Sequence, residues 1–158
     1  MRGIEFEVVW FDKDVIEYQI TCSNGSFCGT TKMYLGYDDL SKAADELNGF
    51  PANVKDLRHV QFGSFDPKIA GGGIDMNFYC VDSAGHAVVL ARIWSDRCKG
   101  MGEAESAALY IPVEPGAIDS FVGQARSIRD TKGAKAYLHM ADHTLGWVRR
   151  FSPLQSDL

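Results

Sequence analysis

Residues 71–93, GGGIDMNFYCVDSAGHAVVLARI, constrain the fold more than any other stretch, because they read as two alternating strands joined by a tight Asp-Ser-Ala-Gly-His connection. Ile74, Met76, Phe78 and Cys80 share one face of the first strand. On the return strand the apolar row is either Val88 with Leu90 or Val89 with Ala91 and Ile93. A hairpin with an apolar face must be covered, so the chain is committed to a sheet packed against further structure.

The opening third uses the same period. Ile4, Phe6, Val8 and Trp10 alternate with Glu5 and Glu7, which predicts a strand with Trp10 on its buried face. Asp12-Lys13-Asp14 breaks it. Ile16, Tyr18, Ile20 and Cys22 then face inward against Glu17, Gln19, Thr21 and Ser23, and the run ends at Asn24-Gly25. Those two residues tolerate positive φ, which predicts a two-residue primed turn into a third strand over 27–35. At Tyr37 the period changes. Asp38 and Asp39 offer side-chain caps, Leu40, Ala43, Ala44 and Leu47 recur at helical spacing, and Asn48-Gly49 with Pro51 ends the helix. Residues 57–65 and 106–113 read as strands on either side of the central hairpin. Pro115 opens a second helix with Ile118, Phe121, Val122, Ala125 and Ile128 on one face. Residues 134–140 fit a last strand or a helical turn, and 94–104, polar and glycine-bearing, read as a mobile loop.

The expected class is therefore α+β, a mainly antiparallel sheet of about seven strands packed with two helices. The regular β-α alternation of a Rossmann or barrel enzyme is absent. With 158 residues, 46% of them hydrophobic, the chain suits one domain over 1–158, with 131–158 as a C-terminal extension. Its longest apolar runs, such as 87–91, fall far short of the roughly 20 residues that cross a bilayer. Glutamates stand in MRGIEFEVV where a signal peptide is apolar, so a cytoplasmic protein is expected. A net charge of −5 with scattered Lys and Arg argues against nucleic acid and for a basic partner.

Candidate chemistry is sparse, and neither a metal nor a cofactor is expected. Cys22, Cys28, Cys80 and Cys98 form no Cys-x-x-Cys pair and read as buried free thiols; a Cys22–Cys28 bridge across the turn would not persist in a reducing compartment. Gly71-Gly72-Gly73 lacks the Gly-Lys-Ser/Thr and following helix of a phosphate loop and reads as a bend allowing close backbone approach. His139 and His143 would share a metal only on a helix, with Asp142 beside them, and they lack the glutamate of a metalloprotease motif. Asp82 and His86 flank the hairpin connection, where a turn lock explains them and no nucleophile is placed nearby. Asp12, Asp14, Glu17, Asp38 and Asp39, with Asp45 and Glu46, form an acidic first third suited to steering a cationic protein. Trp94, beside the polar loop, is the candidate exposed anchor, while Trp10 and Trp147 read as core or rim aromatics.

Phe27-Cys28-Gly29-Thr30-Thr31-Lys32-Met33-Tyr34, Gly49-Phe50-Pro51, Phe78-Tyr79-Cys80-x-Asp82-x-x-Gly85-His86-Ala87-Val88 and Pro112-Val113-Glu114 before Ile118-Asp119-Ser120-Phe121 resemble a group of small uncharacterised bacterial α+β proteins. To some of these an immunity role is ascribed, neutralising polymorphic or contact-dependent toxins by binding them. The resemblance covers residues 4–130 and lies in architecture, so it carries over no site residue. It implies a non-enzymatic protein-binding module whose partner is a basic protein such as a toxin; the charge pattern and the place of Trp94, not the resemblance, nominate Asp12, Asp14, Glu17, Asp38, Asp39 and Trp94 as its surface. The alternative is a small-molecule-binding or enzymatic domain with a pocket between sheet and helix. A homodimer through an open edge at 4–10, or in the tail, is the third reading.

Overall fold

The computed structural model describes residues 1–64, 66, 68, 71–96 and 104–142. Its elements run β1 (Gly3–Phe11), β2 (Val15–Ser23), β3 (Cys28–Gly36), α1 (Asp39–Leu47), β4 (Leu57–Gly63), β5 (Gly73–Cys80), β6 (Ala87–Trp94), β7 (Ser106–Val113), α2 (Pro115–Ser127) and β8 (Lys135–His139). The fold is α+β. The strands form two four-stranded antiparallel sheets, ordered β3-β2-β1-β8 and β4-β5-β6-β7. The eighth strand is the ambiguous stretch after Asp130, which joins the first sheet alongside β1. β1 is thus paired on both sides from Gly3 to Val8, which removes most of residues 4–10 as an open edge for a second copy; among the described residues β8 has a strand partner on one side. No helix of the described residues is long and apolar enough to cross a membrane.

The two sheets and both helices share one apolar interior. Phe6 stands at its centre. Its ring meets Tyr18 of the same sheet at 6.4 Å, Phe62 of the other sheet at 5.3 Å and Phe121 of α2 at 5.8 Å. The helices bury the stripes their periodicity predicts, Leu40, Ala43, Ala44 and Leu47 on α1 and Ile118, Phe121, Val122 and Ala125 on α2. Arg126 bonds Asp45 at 2.7 Å and ties one helix to the other. On β6, Ala87, Val89, Ala91 and Ile93 pair with the inward residues of β5, and Val88 and Leu90 are buried on the opposite face as well.

Local chemistry departs from expectation in several places. Asp38 caps no amide with its side chain; Asp39 instead turns back, its Oδ2 accepting from Gly36 N–H at 2.7 Å. At the other end of α1, Arg58 donates to the carbonyls of Glu46 and Asn48 at 3.0 and 2.7 Å, supplying donors to orphan groups of the last turn. In the β2–β3 turn only Gly25 has positive φ, at +91°, while Asn24 contributes its Oδ1 as acceptor for Ser26 and Phe27 N–H. β4 ends at Gly63 rather than at 65, and Phe65 lies outside the described residues.

The cysteines divide. Cys22 points into the core, where burial pushes its thiol up to about 12, and Cys28 opposes Ser23 on the outer face, so no bridge can join the two. Cys28 is exposed and Cys80 half-buried, which corrects the uniformly buried reading; Cys98 lies outside the described residues. Trp94 is only 5% exposed, not an exposed anchor: its indole covers Gly73, where an added Cβ would fall 1.9 Å from Cζ2. The loop expected over 94–104 falls largely outside the described residues, as does Trp147.

Phe6→Ala removes contacts to three elements at once and is expected to lose about 3–5 kcal/mol in urea unfolding. Gly73→Ala must displace the Trp94 ring and is expected to cost about 1–3 kcal/mol in the same assay, with a changed tryptophan emission.

Candidate interaction surface

The acidic turn between β1 and β2 is built by its own backbone. Asp12 Oδ1 accepts from Asp14 and Val15 N–H at 2.8 and 2.9 Å, and the Val15 bond, then the Asp14 bond, hold its carboxyl below the usual carboxylate range. Val15 opposes Gly36, so the β3–α1 link lies beside this turn, and Tyr37 Oη donates to the Asp12 carbonyl. Tyr37 is pushed up, first by lost hydration and then by the charges of Asp130, Asp12 and Asp14. Asp130, beyond α2, therefore faces the same point.

A β-bulge completes the surface. The register of β1 shifts between Val8 and Trp10, so Trp10 lies opposite Glu17, and Glu17 lies opposite Tyr34. One extra residue inverts the alternation and sends Trp10 to the outer face, 46% exposed, against the buried placement its spacing predicts. Trp10 and Tyr34 meet edge to face at 6.2 Å with the Glu17 strand between them. Among the described residues, Asp12, Asp14, Glu17 and Asp38 make no ion pair. Further along the same face Glu5 and Glu7 share Lys135 at 3.3 and 3.6 Å.

Asp12, Asp14, Glu17, Asp38 and Asp39 thus gather at one end of the first sheet, although the Asp39 carboxylate is engaged by Gly36. Trp94 belongs to the other sheet. The sequence reading missed Trp10, Tyr34, Tyr37 and Asp130. The only available signal was the break at Asp12, since the bulge leaves no mark in the apolar spacing.

The polar groups of the enzymatic alternative are dispersed. His86 Nδ1 lies 2.7 Å from Asp82 Oδ2, and its Nε2 lies 3.4 Å from Glu114 of the α2 cap. Asp82 Oδ1 also accepts from Ala84 and His86 N–H, the arrangement of a turn lock. His139 sits in β8 beside Tyr137, where no helical i, i+4 geometry exists, and His143 lies outside the described residues. The cleft between α1 and β4 holds about 230 Å³, with Asp39, Lys42 and Glu46 among its lining groups and no histidine. Among the described residues no three His, Cys, Asp or Glu side chains are arranged to hold a metal ion.

No protein-family model matches the chain, and no characterised protein or solved structure is detectably similar to it.

His86 is raised by its bond to Asp82 and, further down, by the Asp82 and Glu114 charges, with burial opposing; Asp82 is lowered chiefly by its bond to His86. The raised histidine stabilises fully below about pH 6.5 and loses that effect as pH rises through its folded value. The lowered carboxyl stabilises above about pH 3.9 and loses it as pH falls through its folded value. The Tm difference between wild type and His86→Gln is therefore expected to be widest between those limits and to narrow on both sides, as followed by thermal melts across pH.

Proposed function

We propose that the chain is a non-enzymatic protein-binding module that docks a basic protein on the acidic, aromatic end of its first sheet. The observation that carries the reading is the outward Trp10–Glu17–Tyr34 row beside the Asp12–Asp14 turn, with both rings exposed and Glu17 half-buried between them. Exposed aromatics supply rigid contact area, and unpaired carboxylates steer a cationic partner and specify its orientation. The resemblance to toxin-neutralising immunity proteins supports the same reading: a toxin held by such a face is blocked by occupation, and no chemistry by the binder is required. The bonded turn of Asp12 and the β-sheet footing of Glu17 favour a preorganised surface, which lowers the ordering cost of association.

The test is capture of partners from the source cell, together with the product of the neighbouring gene, on wild type and on an Asp14→Lys/Glu17→Lys variant. A defined basic protein retained by wild type is expected to associate at least about tenfold more slowly with the variant at low salt. The difference should shrink as ionic strength rises. Trp10→Ala is expected to cost about 2 kcal/mol of affinity. Equal retention of the same proteins by all three chains would show that the face is not the docking surface.

A further inference from the structure

The second sheet is apolar on the side that faces away from the shared interior. In register, Leu57, Tyr79, Val88 and Pro112 form one outward row, and His59, Asn77, Leu90 and Tyr110 form the next. Both helices bury their stripes in the interior between the sheets, so among the described elements neither covers this side. An antiparallel sheet with one wet face carries polar residues there. Here Val88 is 0% and Leu90 8% exposed. Leu90 belongs to neither hydrophobic cluster of the described residues. The apolar surface continues past the pair, with Tyr110 42% and Leu57 58% exposed at the ends of their rows. Apolar surface of this extent marks a contact face.

The path of the chain says what reaches this face. After β8 it leaves the first sheet, and Ala141 N–H donates to Pro112 C=O at 2.8 Å, on the outer edge of β7. Ala141 is 6% exposed and packs with Val88 and Val81. The chain therefore already lies against the outward Val88 row one residue before residue 143 begins. Residues 143–158, HTLGWVRRFSPLQSDL, follow. At about 3.3 Å per extended residue they span the roughly 15 Å width of four paired strands several times over. Leu145, Trp147 and Phe151 stand at even spacing, so an extended segment presents all three to one side. Burying an indole and a phenyl ring on branched aliphatics removes apolar area from water on both partners. A second copy on the same face would have to fit around Ala141 and would leave its own Trp147 and Phe151 to be covered elsewhere.

We infer that residues 143–158 close over the outer face of the second sheet, entering it at the Ala141–Pro112 bond and anchored by Trp147 on Leu90. The face is then an internal interface of the chain, which leaves the outer side of the first sheet for a partner. This inference does not depend on the docking face proposed above.

Nuclear Overhauser spectroscopy on the full chain with labelled Leu and Val methyls tests it. Contacts from the Trp147 ring to the Leu90 methyls are expected, unchanged on dilution. In Trp147→Ala the Leu90 methyl resonances should lose their ring-current displacement, and exchange protection of the Ala141 amide should fall about tenfold as the segment opens locally. Phe27→Ala, 69% exposed at the β2–β3 turn, should alter neither. A Trp147 ring without contact to Leu90, or Ala141 protection indifferent to Trp147→Ala, would overturn the inference. In a mixture of labelled and unlabelled chains, contacts found only between molecules would assign the face to a second copy and overturn it as well.

Discussion

Everything in the fold converges on the burial of Phe6. Its ring touches the first sheet through Tyr18, the second through Phe62 and the helical layer through Phe121, so one side chain measures the fit of all three. Neither sheet has both faces covered by its own residues, and neither helix has more than a narrow stripe to offer. Each layer is stable only because the others close over it. The aromatic contacts are edge-on or tilted, which secures geometry that a purely aliphatic core would leave looser.

That closure leaves the outer face of the first sheet free to be something other than structural. From Ile4 to Val8 the strand alternates strictly, because every inward residue is held in the shared core. Past Val8 the core ends, and the bulge exchanges a buried position for an exposed one. Bulges favour places where a side chain must be re-aimed. Here the re-aimed side chain is a tryptophan, and it arrives beside a glutamate and a tyrosine that ordinary pairing had already placed outward. The acidic turn follows directly, so the departure from regular sheet and the concentration of charge occupy the same end of the molecule.

Most of the elements were legible because period-2 and helical spacing act locally: the central hairpin, the meander and both helices can be read from apolar positions alone. What was not legible depends on partners distant in sequence. The sheet to which 135–139 belongs is decided by β1, more than a hundred residues away. Trp94 looked like an anchor beside a polar stretch, yet Gly73 leaves a vacancy that its indole fills, and only the β5–β6 register reveals this. The acidic residues were legible as composition, but not as a surface. Their gathering needs Val15 opposite Gly36, Tyr37 bonded to Asp12, and Asp130 delivered by the end of α2.

The charge distribution at that end accords with the proposed docking role. Elsewhere several carboxylates have a cationic partner: Asp56 has Arg58, Asp45 has Arg126, Glu5 and Glu7 share Lys135, and Asp82 has His86. Near Tyr37 three aspartates instead bear on one phenol, and like charges brought together oppose the folded state. The Asp12 carboxylate is stabilised there by main-chain donors, which keep it ionised without cancelling its charge. Neutralisation by lysine or arginine would have been the simpler way to stabilise a turn. Main-chain donors keep the negative field pointing outward, as the proposed docking of a basic partner requires.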